Sequence, residues 1–185
     1  MKKKYYAILS VALALSMVYD RQILLFITAY RNPILTTILK FLTDSITYLP
    51  IPLIILSAIM FYKKTNKKIT AVWFVSFSAF IASYAIKYAV GRVRPDFVMP
   101  LVHEGSPSFP SAHAAVSFAP VQILSGKLKW VWVIFAVLVA YSRMYLGVHY
   151  MSDVIGGIIL GCIMGDIIMK IDFSRIKLLK KLKIA

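Results

Sequence analysis

A succession of apolar runs, divided by short basic or proline-containing segments, constrains this chain more than any other feature. A helix rises about 1.5 Å per residue and the hydrocarbon core of a bilayer is about 30 Å thick, so a run of roughly 17–25 apolar residues is a candidate span. Six runs qualify: Tyr5 to Tyr19, Ile46 to Tyr62, Ile69 to Val90, Ser111 to Ser125, Trp130 to Gly147 and Met151 to Lys170. The first and fourth are short, and their ends must reach into the interfacial layers. Between the first two, Asp20 to Ser45 mixes Leu, Ile and Phe with Arg21, Arg31, Asn32, Pro33 and Lys40, which reads as an amphipathic helix lying in the headgroup plane. The expectation is an all-α polytopic membrane protein with six transmembrane helices, an interfacial segment and one membrane-embedded domain over 1–185.

Composition excludes the competing classes. Hydrophobic residues make up 60% of the chain and charged residues 16%, against roughly 45–50% and 25% in soluble domains. The formal net charge of +15 does not imply nucleic acid, because the Lys and Arg lie between apolar runs instead of forming a face on a polar domain. Cys162, the only cysteine, sits inside an apolar run, so neither a disulfide framework nor a thiolate zinc site is available. Lys and Arg favour the cytoplasmic side of short loops. With the N-terminus inside, all of the 22 Lys and Arg follow that rule except Arg21, Arg31, Lys40, Lys87, Arg92, Arg94 and Arg143. This orientation describes a multi-pass protein of the inner (plasma) membrane. Lys2 to Lys4 and the following run also have the form of a secretory signal with a weak cleavage site near Ala12, Ala14 and Ser16; the helix is read here as retained.

The exceptions lead to chemistry. Three stretches hold polar groups that hydrocarbon does not explain: Lys87 to Pro95, Phe109 to His113 and Ser142 to Asp153. In the six-span arrangement they fall at four helix ends on the outer face. Lys87, Arg94 and Arg143 bring three cations there with no carboxylate cluster nearby in sequence, and a guanidinium fork beside an ammonium suits a tetrahedral phosphate. Pro110 and Ser111 read as a helix start, with Ser111 as N-cap and the backbone N–H groups of Ala112 and His113 free for an anion. His113 is placed to give a proton to a departing oxygen. His149 and Asp153 are spaced to share one helix face, so the acid can hold one ring nitrogen while the other acts as nucleophile or base. A metal bound by that pair is disfavoured, since too few carboxylates exist to complete a cage. His103 and Glu104 read as solvated loop or as a substrate-side lid, and Gly91 and Gly105 as flexible loop. Gly157, Gly161 and Gly165 have the small-residue spacing of close helix packing, inside the bundle or at a dimer face; the oligomeric state stays open. Cys162 reads as lipid- or core-facing filler.

These stretches resemble the three signature motifs of the type 2 phosphatidic acid phosphatase family, membrane lipid phosphatases related to vanadium haloperoxidases. K-x6-R-P is met by Lys87, Arg94 and Pro95; P-S-x-H by Pro110, Ser111 and His113; and S-R-x5-H-x3-D by Ser142, Arg143, His149 and Asp153. The resemblance implies that His149 forms a phospho-histidine, Asp153 orients it and His113 protonates the leaving group. It implies also that Lys87, Arg94, Ser111, Ala112, Ser142 and Arg143 bind the phosphate, with no metal or other cofactor. Ala112 departs from the Gly often found there, which suggests slight reshaping of the pocket. The implied partners are a lipid phosphate and the surrounding membrane lipids, with no nucleic acid. Undecaprenyl diphosphate ranks first as substrate, ahead of phosphatidylglycerol phosphate and lipid A. A non-catalytic anion transporter would account for the cations but not for His113, His149 and Asp153, and the paired broken helices of many transporters are missing.

Overall fold

The computed structural model describes residues 3–47, 50–63 and 68–170, and among these every regular element is helical. In chain order they are α1 (Lys3–Ala29), α2 (Pro33–Thr47), α3 (Pro50–Tyr62), α4 (Ile69–Val90), α5 (Ala112–Phe118) followed by a 3-10 turn (Ala119–Gln122), α6 (Gly126–Tyr145) and α7 (Met151–Ile168). Helices α1, α4, α6 and α7 are long and apolar enough to cross a membrane. Outward-facing side chains such as Phe26, Phe61, Phe77 and Ile134 are well exposed, which suits a hydrocarbon surround. The chain is a multi-pass membrane protein. Tyr48 and Leu49 of the second candidate span, and Lys2, Lys64, Lys67 and the basic residues after Lys170 used in the orientation argument, lie outside the described residues.

Two sequence expectations are corrected. The first helix does not end at Tyr19: α1 continues through Asp20 and Arg21 to Ala29. Buried Asp20 is paired with Arg92 at 2.8 Å, while Arg21 stays exposed and lies over the Phe97 ring at 4.7 Å. The remainder of the supposed interfacial segment forms α2, started by Asn32, whose Oδ1 accepts from the Leu35 N–H at 2.8 Å. Ile34, Ile38 and Phe41 point outward, while Leu39 and Thr43 are buried against the bundle. The fourth candidate span is a seven-residue helix and a turn, because Pro120 interrupts the regular hydrogen bonding.

Short and small-sided, α5 is the centre of the bundle, with Ala112, Ala114, Ala115, Val116 and Ser117 all buried. The Trp132 indole N–H of α6 donates to the Ser117 carbonyl at 2.8 Å. From α7 the glycine stripe lies against it: a Cβ at Gly157 would meet the Ser111 carbonyl, one at Gly161 the Ala115 carbonyl, and one at Gly165 the Ala119 carbonyl and Gln122. The stripe therefore packs inside the bundle, and backbone atoms leave a side chain nowhere to go. Gly161→Leu is expected to cost about 1–3 kcal/mol through overpacking, read as a lower thermal midpoint in detergent; an unchanged midpoint would contradict this packing.

Candidate active site

The mouth of the bundle is assembled where α4 ends and α5, α6 and α7 meet the segment 91–111. Gly91 stops α4 with φ +64°, its N–H returning to the Lys87 carbonyl at 2.8 Å. That left-handed turn favours glycine, so Gly91 sets a conformation and is more than flexible loop. In the last turn of α4, buried Lys87 donates through Nζ to the Pro107 carbonyl and to the Ser108 carbonyl at 3.3 Å. Arg94 donates through Nε to the Ser106 carbonyl at 2.8 Å and through Nη1 to the Val148 carbonyl at 2.6 Å. These bonds fold segment 91–111 back over the mouth.

His149 lies in the connection between α6 and α7, one residue before the Tyr150 N-cap, so it does not share a helix face with Asp153. The two nevertheless meet: His149 Nδ1 is 3.3 Å from Asp153 Oδ2, and its Nε2 is 3.3 Å from Arg94 Nη1 on the cavity side. Asp153 Oδ2 also accepts from the Tyr150 N–H at 2.9 Å and from the Ser108 hydroxyl. With a carboxylate at Nδ1, the proton of the neutral ring belongs there and the Nε2 lone pair faces the cavity. Burial, reinforced by the charges of Arg94, Arg143 and Lys87, holds the His149 pKa well below the ordinary histidine value, so the imidazole is neutral at neutral pH.

A cavity of about 620 Å³ opens from these groups. Lys87, Arg94, His103, Glu104, Ala112, His113 and His149 line its polar end. His113 Nε2 is buried and makes no hydrogen bond to the described residues. The apolar end is lined by Leu53, Trp73, Phe77, Phe80 and Val116. Trp73, Phe77, Phe80, Tyr84 and Lys87 recur every three or four residues, one face of α4; at about 1.5 Å per residue the lane runs roughly 21 Å from the cations. The polar end suits an anionic headgroup and the lane an apolar tail.

The remaining candidates stand further back. Ser111 caps α5, its Oγ accepting from the Ala114 N–H at 3.5 Å. The Ser142 hydroxyl shares a 2.7 Å bond with Thr43 and donates to the Val139 carbonyl at 2.7 Å. Fully buried Arg143 pairs with Glu104, which lies 3.6 Å from Arg94 as well. Glu104 is thus no solvated loop residue: it holds two of the three candidate phosphate-binding cations from the cavity side. Buried cations need countercharge, and that requirement was a signal for Glu104 that sequence spacing alone did not use. Ser108, bonded to Asp153, and Thr43 were also missed, having no such signal.

A model of the PAP2 superfamily matches residues 68–177. Phosphatidylglycerophosphatase B of Bacillus subtilis is 36% identical over 159 residues, 77% of either chain. An undecaprenyl-diphosphatase of Sulfolobus acidocaldarius is 40% identical over 115 residues, 57% of this chain and 56% of its own. Among solved structures, a transmembrane PAP2-type phosphatidylglycerolphosphate phosphatase from Bacillus subtilis superposes with a TM-score of 0.72 at 28% identity, covering 94% of each chain. LpxE of Aquifex aeolicus gives 0.64 at 25% identity, covering 82% of this chain and 95% of its own.

Proposed function

Since this chain belongs to the PAP2 superfamily of membrane lipid phosphatases, we propose that it removes a phosphate from a lipid diphosphate by way of a phospho-histidine on His149. His149 Nε2 attacks phosphorus, and the bond to the leaving oxygen breaks as His113 gives that oxygen a proton. Burial and the neighbouring cations hold the His113 pKa well below the ordinary histidine value, and the negative charge of the bound phosphate is what lets its ring carry that proton. Water then attacks the phospho-histidine, His113 takes up its proton, and inorganic phosphate leaves. Lys87, Arg94 and Arg143 hold the non-bridging oxygens beside the start of α5 at Ser111 and Ala112, displacing Glu104 from its arginines. Asp153 orients the imidazole and stabilises its developing charge. No step calls on a metal, and the site faces the outside of the inner membrane.

The observation that carries this reading is the placement of the His149 imidazole, backed by Asp153 at 3.3 Å and facing a cavity lined by Lys87 and Arg94. A lipid with one tail suits the single lane along α4, so undecaprenyl diphosphate is the preferred substrate. The similarity to a phosphatidylglycerophosphatase supports phosphatidylglycerol phosphate as a second reading. The test is phosphate release by the purified protein in detergent with EDTA, comparing these two lipids and lipid A. A higher kcat/KM on undecaprenyl diphosphate supports the first reading; preference for phosphatidylglycerol phosphate or lipid A overturns it.

The pH dependence follows from His149. Its depressed pKa keeps the nucleophile unprotonated as pH falls through the ordinary histidine value of about 6.5. The acid limb of kcat/KM, which reports the free enzyme, is therefore expected below pH 6.5. A limb centred above that value would contradict the assignment.

A further inference from the structure

Asp20 and Arg92 belong to none of the three motifs, and neither lines the cavity. Asp20 is buried in α1, a helix long enough to span the membrane, where an ionisable side chain is costly and calls for a partner. Its partner is Arg92, whose Nη2 lies 2.8 Å from Asp20 Oδ2. The same guanidinium reaches Asp153: Nη1 is 2.7 Å from Oδ1 and 2.6 Å from the Ser152 hydroxyl. Asp20 also accepts from the Ser152 N–H at 2.9 Å and from its hydroxyl, which ties α1 to the first turn of α7. Arg92 lies over the Tyr150 ring at 4.2 Å, fixing the plane of the fork.

This divides the two oxygens of Asp153. Oδ2 meets His149, Ser108 and the Tyr150 N–H, while Oδ1 meets Arg92. A planar guanidinium held at its far end by a second carboxylate has little freedom to turn, so it fixes the rotation of the Asp153 carboxylate as well as supplying its countercharge. We propose that Arg92, anchored by Asp20 of α1, is a positioning residue that sets Asp153 against His149 Nδ1, making the first helix part of the catalytic apparatus. The inference rests on His149 as nucleophile.

The experiment uses the full chain in detergent and compares Arg92→Met, Arg92→Lys, Asp20→Asn and the double variant Arg92→Met/Asp20→Asn. It reads kcat, KM for undecaprenyl diphosphate, vanadate inhibition and thermal midpoint. Arg92→Met should lower kcat about 100-fold, less than the roughly 10⁴-fold lost when an orienting carboxylate itself is changed, with KM and vanadate inhibition changed less than about threefold. Arg92→Lys should recover at least about tenfold of that loss. The double variant should be no slower than Arg92→Met, because Asp20 acts through Arg92 and effects on one chain of contacts do not add. A lowered midpoint with kcat unchanged per folded molecule would make the network merely structural and overturn the proposal. Parallel loss of KM and vanadate affinity would make Arg92 a phosphate ligand and overturn it too. If Arg92→Met does not fold, Asp20→Asn decides: kcat reduced about tenfold at unchanged KM supports positioning, and unchanged kcat refutes it. Turnover by His149→Ala would fell the nucleophile assignment; an inactive His149→Ala beside a fully active Arg92→Met would fell this inference alone.

Discussion

Turnover of lipid phosphates is expected to fall by a factor on the order of 10⁴ or more in His149→Ala, because removing a nucleophile removes the covalent route and leaves only the binding groups. The loss should appear in kcat. Lys87, Arg94 and Arg143 remain to hold the phosphate, so vanadate or inorganic phosphate should still bind. Asp153 keeps its bonds to Arg92, Ser108 and the Tyr150 N–H, which gives the variant a means of staying folded. Steady-state kinetics on detergent-purified protein, with the thermal midpoint as a control for folding, checks both points. Retained turnover in a folded variant would remove His149 from the mechanism.

His113→Ala has the second-largest expected effect, and its signature is selectivity. General acid catalysis contributes typically 10²–10⁴-fold, and its benefit grows with the basicity of the leaving oxygen. The His113 ring lines the cavity with a buried Nε2 that makes no hydrogen bond to the described residues, as a group awaiting the substrate's leaving oxygen requires. Hydrolysis of a lipid with an alkoxide leaving group should therefore slow about 10³-fold, while an activated aryl phosphate should lose far less. Equal losses on both substrates, measured as kcat/KM, would assign His113 to phosphate binding instead.

What the sequence revealed and what it hid divide along the range of the interactions. Three motif stretches at four helix ends converge on one mouth, since each stretch carries its chemistry at fixed spacing and the helices bring the ends together. The bounds of α4 were legible from local pattern: Ile69 to Val90 is a mostly apolar run whose single charge, Lys87, lies in its last turn, and Gly91 caps it. The path through Asp20 and Arg21 was not, because a charge counts against a span until its partner is known, and Arg92 and Phe97 lie more than seventy residues away in the chain. Glu104 was hidden likewise, its meaning depending on Arg143, 39 residues away in the chain. Ser142 illustrates the reverse: its motif position suggests a phosphate ligand, yet its hydroxyl is engaged by Thr43 of α2, a contact no spacing rule contains. The central place of α5 also escaped notice, since a stretch of Ala and Ser reads as a weak span unless the glycines of α7 are seen against it.

Covalent transfer to one imidazole is the central claim, and rapid acid-free quenching of the protein with ³²P-labelled undecaprenyl diphosphate, followed by peptide mapping, tests it most directly. The account predicts label on His149 that is lost on mild acid treatment, persists in alkali and is missing from His149→Ala. Release of labelled phosphate at full rate with no label ever on His149, under quenching fast enough to catch the first turnover, would contradict it.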